Sequence, residues 1–166
     1  MPAPEITGPA DLALLFSLLH DGVVAEAVRD GDDLALRVEI RYLTQRIAPS
    51  FTFFHVRLHG VADVTFDPWP KAADAAAETW RDVPQIFSPP LDILEGAAAG
   101  DGVAVHCNQP AREAPHCGGT LRLRAAAASV TDEAGARYDL AALKALADEY
   151  WDDWRTRHGR PARPTP

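Results

Sequence analysis

The sequence predicts an α+β fold, an antiparallel sheet of about seven or eight strands with an N-terminal and a C-terminal helix packed on it. Three observations predict it. Leucines at helical spacing mark the start of the chain and a long apolar stripe marks its end. Between them lie segments with alternating apolar and polar side chains, joined mostly by short turns rich in Gly and Asp. Strands and helices do not alternate, which argues against the parallel sheets of dinucleotide-binding folds and of α/β barrels. A length of 166 residues suits one domain, expected over residues 1–159.

The first helix is expected at 9–20, where Leu12, Leu15, Leu18 and Leu19 share a face. Pro9 suits its first position, where a missing N–H costs nothing, and Gly22 suits the left-handed conformation that closes a helix. Strands at 23–29 and 34–42 flank the turn Asp30-Gly31-Asp32-Asp33 and form a hairpin. In the second strand Leu34, Leu36, Val38, Ile40 and Tyr42 face one way, with Arg37, Glu39 and Arg41 on the other side. Residues 51–66 repeat the pattern, with Phe54, Val56 and Leu58 opposed to His55, Arg57 and His59, and Gly60 bends or breaks the run. Asp67-Pro68-Trp69-Pro70 is expected to stop the strand, and alanine-rich 71–80 allows a short helix. Further strands are expected at 91–94, 103–107 and 121–130, with a short one at Arg137-Tyr138. Asp139 caps the last helix, whose stripe is Leu140, Leu143, Ala147, Tyr150 and Trp154, and Gly159 ends it. Residues 160–166 carry three prolines and no large apolar group, so a mobile tail is expected. No internal repeat of fixed period is visible.

Composition narrows the function. Apolar residues make up 47% and charged residues 24%, proportions of an ordinary globular chain, not of a disordered or membrane-embedded one. Sixteen basic against twenty-four acidic side chains give a net charge of -8. Arg155, Arg157, Arg160 and Arg163 all lie near the C-terminus, which leaves residues 1–154 with an excess of twelve negative charges. Such a body repels a phosphate backbone, which disfavours nucleic acid, and attracts a basic protein partner. The apolar run at 12–19 has no basic residue before it, so no signal peptide is expected and the location reads as cytoplasmic. No stretch approaches the roughly 20 apolar residues that cross a bilayer, so no membrane partner is expected. Cys107 and Cys117 are then expected to remain reduced.

His106-Cys107 and His116-Cys117 are identical dipeptides carrying the ligand types zinc prefers. Adjacent strand residues point to opposite faces, so these four serve one metal only where the strand has ended; a cross-hairpin cysteine pair and unrelated loop residues are the competing readings. His55 and His59 lie four apart on a strand, about 13 Å, too far for a shared metal. With Arg57 between them they form an exposed stripe suited to contacting an anion. His20-Asp21 closes the first helix, where the helix dipole favours a histidine without any catalytic role. The acidic pairs Asp32-Asp33, Asp132-Glu133 and Asp152-Asp153 do not have the spacing of a calcium loop and read as solvated charge. No GxSxG, P-loop, GxGxxG or HExxH motif occurs. Among four tryptophans, Trp151 is rotated about 100° from Tyr150 on the last helix, off the core stripe, and is a candidate contact residue.

The opening Leu19-His20-Asp21-Gly22-Val23-Val24, followed by a hairpin whose second strand runs over 34–42, resembles small uncharacterised bacterial proteins, some similar to immunity proteins of toxin systems. The resemblance covers the first 45 residues or so and carries over no functional residue. It implies an acidic, cytoplasmic, non-catalytic protein that occludes a toxin. The leading expectation is therefore a non-enzymatic interaction protein with a protein partner, needing no cofactor. The alternative is a small ligand-binding or metal-dependent enzyme with a pocket of His55, His59, His106 and His116, and zinc as its candidate metal. A third reading is self-association through a strand edge or the Trp-bearing helix.

Overall fold

The structure, a computed structural model, describes residues 6–110 and 116–159. The expected tail at 160–166 lies outside the described residues. The element order is β1 (Ile6–Thr7), α1 (Gly8–Leu18), β2 (Val23–Asp30), β3 (Asp33–Glu39), α2 (Arg41–Thr44), β4 (Phe53–His59), β5 (Asp63–Pro70), α3 (Val83–Ile86), β6 (Leu91–Ala99), β7 (Gly102–Asn108), β8 (His116–Arg124), β9 (Ala127–Thr131), β10 (Arg137–Tyr138) and α4 (Leu140–His158). The strands form one sheet in the order β1-β9-β4-β3-β2-β6-β7-β8-β5, every pair antiparallel, with β10 also on β9. No helix among the described residues is long and apolar enough to cross a membrane.

The α+β class and both terminal helices match expectation, while the strand count among the described residues is ten. Several boundaries differ for identifiable reasons. Asp21, not Gly22, takes the positive φ of 65° after α1; at Gly22 a Cβ would lie 2.8 Å from the Leu19 carbonyl oxygen. Residues 40–42 leave the strand because the chain winds into α2. Asp67-Pro68-Trp69-Pro70 does not stop β5, which pairs with β8 as far as Pro70 opposite His116 across a bulge. An outermost strand tolerates prolines whose missing N–H faces away from its partner. Residues 71–80 form no helix; Trp80 instead makes an isolated bridge to Phe66. The expected strand at 121–130 is two strands that turn at Ala125 and Ala126. α4 packs chiefly on α1, α2 and β10 and not across the sheet.

The registers reveal an internal repeat that the sequence conceals. In the β2/β3 hairpin Glu26, Ala27, Val28 and Arg29 pair with Arg37, Leu36, Ala35 and Leu34. In the β6/β7 hairpin Glu95, Gly96, Ala97 and Ala98 pair in the same register with His106, Val105, Ala104 and Val103, and each hairpin carries a bulge at the same place. The third strands follow suit, since Leu36 pairs with Val56 and Val105 with Leu121. The fourth strands are exchanged: β5, which follows β4, pairs with β8, and β9, which follows β8, pairs with β4. The halves meet where Val23 pairs with Asp92.

This exchange fixes the shape. β4 and β5 stand six places apart in the sheet, about 29 Å if it were flat. Their link from His59 to Asp63 reaches about 15 Å at most, so the sheet must curl. α1 bridges the curl, touching β6 and β7 in one half and β1 and β9 in the other. Its Leu12, Leu15, Phe16 and the following Leu19 are buried, and with Phe54 and Phe66 they centre one core. α1 approaches β6 closely at Gly96, where a Cβ would lie 2.6 Å from the Ala13 carbonyl oxygen. Ser17 Oγ donates to the Gly96 carbonyl and accepts from its N–H, both at 3.1 Å, satisfying the strand backbone where no further strand pairs.

Candidate functional site

The richest cluster of chemistry-bearing side chains lies where α4 leaves the body. Asp139 caps the helix by accepting from the Ala142 N–H at 2.7 Å, and Leu143 and Ala147 are buried. Beyond Ala147 the helix runs past the core for three more turns. Tyr150 packs on Tyr42 with ring centroids 4.5 Å apart, and Trp151 stacks on His20 at 5.6 Å. Trp154 and His158 then continue the row, stacked on each other at 4.9 Å. Arg46, from the turn after α2, clamps this end: its guanidinium pairs with Asp153 and Glu149 and lies 5.8 Å from the Tyr150 ring centre. The Asp153 carboxyl is held below its ordinary range by the Arg46 hydrogen bond. A groove of about 280 Å³ results, lined by Arg46, Tyr150, Asp153, Trp154, Arg157 and His158.

The two tryptophans exchange their expected places. Trp154, assigned to the core stripe, is 44% exposed, and Trp151, expected off the stripe, is half-buried against His20 and Tyr42. The cause is the length of the body: the stripe has nothing left to face by residue 154. Beneath the ledge Tyr42 donates to the His20 carbonyl at 2.8 Å, and burial followed by the charge of Asp21 pushes its phenol upward. His20 keeps the helix-end position read from the sequence, its Nδ1 3.0 Å from the Ser17 carbonyl.

His55, Arg57 and His59 lie on the outward face of β4, as expected from the alternation. His55 is exposed, edge-on to Phe53. Arg57 donates to Asp33 at 2.8 Å and to Asp30 at 2.6 Å. His59 sits between Asp33 at 3.1 Å and Ser129 at 3.0 Å. The Arg57 hydrogen bond first, then the Gly60 N–H and His59, depress the Asp33 carboxyl to about 2. Arg57 thus meets carboxylates of the Asp30-Gly31-Asp32-Asp33 turn, and the stripe it centres is a neutralised network.

The histidine–cysteine dipeptides diverge. His106 is on the outer face with Nδ1 3.1 Å from Glu95 and its ring edge-on to Trp69. Cys107 faces the core, and burial first, then Asp92, pushes its thiol up to about 12. His116 is buried, while Cys117 is exposed with Sγ 3.7 Å from the Trp69 carbonyl oxygen. Both thiols are free, and among the described residues no three His, Cys, Asp or Glu side chains converge on a point that could hold a metal ion. His116 lines a pocket with Pro68, Pro70, Ala75, Ala76 and Glu78, apart from His55 and His59 on β4 and His106 on β7.

Comparison with protein-family models, with curated proteins and with solved structures finds no match.

Sequence reasoning passed over Arg46, Tyr42 and His158. Arg46 sits more than a hundred residues from its partners Glu149 and Asp153, and no local pattern announces a contact of that range. His158 had a signal, being four residues after Trp154 and so on the same helix face.

Proposed function

We propose that this protein is a non-enzymatic binding protein that engages a protein partner through the aromatic ledge of α4. The observation that carries this reading is Trp154, a large apolar side chain 44% exposed on a helix end that projects beyond the core. Tryptophan and arginine dominate the energetics of protein interfaces, and here Trp154 stands beside Arg46, Arg157 and the half-buried Trp151. The support beneath is stiff. Arg46, Tyr42 and His20 fix Tyr150 and Trp151, so ordering the contact residues on binding costs little. An immunity-like role, occluding a toxin, fits the resemblance of the first 45 residues and the acidic body, which steers a basic partner by its field.

The test is affinity capture from the native host with tagged wild-type, Trp154→Ala and Asp148→Lys proteins, followed by binding measurements on the captured protein. Trp154→Ala should weaken binding at least tenfold without changing the far-ultraviolet circular dichroism, and Asp148→Lys should leave it nearly unchanged. Equal affinity for wild type and Trp154→Ala would remove the ledge from the interface.

A further inference from the structure

The internal repeat exposes a second site, independent of the ledge, at the turn between β6 and β7. Asp63, Asp101, Gly102, Arg122 and Arg124 line a pocket of about 220 Å³ there. The registers give these positions counterparts in the first half. Gly102 closes its hairpin opposite Ala99 as Asp33 closes its own opposite Asp30. Leu34 pairs with Leu58 as Val103 pairs with Leu123, which sets Arg122 and Arg124 in the places of Arg57 and His59. In the first half these places surround the Asp33 carboxylate, which accepts from Arg57 Nε at 2.8 Å and from the Gly60 N–H at 3.1 Å and meets His59 Nδ1 at 3.1 Å. In the second half the first arginine is kept and the histidine becomes another arginine, but the carboxylate is missing. Position 102 cannot supply it, because a Cβ there would collide with the Leu123 carbonyl oxygen.

Both arginines keep donors to spare. Arg122 turns its Nε to Asp67 at 3.0 Å, and Arg124 donates Nη1 to Asp101 at 3.0 Å. The two Nη groups of Arg122, and Nε and Nη2 of Arg124, have no partner among the described residues. A guanidinium only donates, so these groups call for an acceptor. The charge balance permits an anionic one. Around the pocket Arg81, Arg122 and Arg124 offset Asp63, Asp67 and Asp101. The first-half cradle is balanced in the same way, Arg57 against Asp30, before Asp33 is counted. That cradle nevertheless holds the Asp33 carboxyl down at about 2, the Arg57 hydrogen bond being the largest cause.

We propose that this pocket binds a small monocarboxylate, whose oxygens take the place that the Asp33 carboxylate fills in the first half and accept from Arg122 and Arg124. The volume lies below the roughly 300 to 1,000 Å³ of drug-sized sites, which restricts the ligand to a few non-hydrogen atoms. A planar carboxylate also matches the fork of a guanidinium, which a halide ion does not.

The test titrates sodium acetate into the full-length protein at constant ionic strength, with chloride as the balancing anion, and follows the arginine Nε–H groups by nitrogen-15 NMR. Saturable shifts are expected at Arg122 and Arg124, with a Kd of about 1 to 10 mM, and none at Arg57, whose cradle is already filled. Arg124→Gln should weaken binding about tenfold. It breaks only an exposed ion pair, so the fold should persist. Asp33→Ala should vacate the first-half cradle and add a second acetate site, read as new saturable shifts at Arg57. If Asp33→Ala fails to fold, the Arg124→Gln comparison decides alone. Shifts that never saturate, equal shifts at Arg57 in the wild-type protein, unchanged affinity in Arg124→Gln, or no gain at Arg57 in folded Asp33→Ala would each overturn the proposal. Tighter binding of methylammonium than of acetate would assign the pocket to its carboxylates, Asp63 and Asp101, and overturn it equally.

Discussion

Leu143 and Trp154 belong to one helical stripe but to different environments, and truncating each to alanine separates core from ledge. Leu143 is fully buried beneath α4, so Leu143→Ala loses the transfer energy of its side chain and leaves a cavity, together about 3 kcal/mol. For a domain of this size each kcal/mol moves the thermal midpoint by about 2 to 4 °C, so a fall of about 6 to 12 °C is expected. Trp154 makes its ring contacts with Trp151 and His158 of its own helix, contacts worth about 0.5 to 1.5 kcal/mol. Trp154→Ala should therefore lower the midpoint by about 1 to 6 °C. Urea unfolding followed by tryptophan fluorescence and circular dichroism gives both free energies, and the two probes should report the same transition. Equal losses for the two variants would mean that the end of α4 is buried, and the ledge would cease to be a surface.

Three further outcomes follow from the same geometry. The Asp33 carboxyl, depressed to about 2 from an unfolded value near 3.9, contributes stability that is present above about pH 4 and lost as pH falls through 2; Asp33→Asn should flatten the fall in urea midpoint between about pH 4 and pH 2, and an unchanged acid limb would refute the network. Titration with a thiol reagent at about pH 8 should give one reactive cysteine in the native protein, Cys117, with Cys107 reacting only in denaturant; two fast thiols would refute the burial of Cys107. Gly96→Ala should cost about 1 to 3 kcal/mol in urea unfolding by forcing α1 off β6, and a neutral result would show that α1 does not approach β6 at that point.

Much of the sheet was legible because alternation in a half-buried strand is a direct record of which face meets the core. Leu34, Leu36 and Val38, and Phe54, Val56 and Leu58, are all buried as their spacing requires. Alternation carries no information about order, so nothing local to β4 shows that its neighbours are β3 and β9. Prolines misled at Pro68 and Pro70 because their cost depends on whether a partner strand lies on the N–H side. The repeat stayed hidden because few side chains coincide at equivalent places, Glu26 with Glu95, Gly31 with Gly100 and Arg57 with Arg122 among them. Connections of unequal length also destroy any fixed period. At the ledge, periodicity identified the stripe, but the point where the body ends is a property of the whole fold and is not written in α4.

The exchange of fourth strands sets an order of events for a chain that grows from its N-terminus. β4 gains its outer neighbour only when residues 127–131 have been made, and β5 has nothing to pair with until β8 follows more than forty residues after it. A ribosome-bound chain at residue 90 therefore holds three strands, β2, β4 and β5, with open hydrogen-bonding edges, the condition that favours pairing between neighbouring chains on one message. A chain broken between the halves inherits the same deficit on both sides. Either fragment expressed alone should aggregate, and the two together should rebuild the fold only by exchanging β5 and β9 across the break.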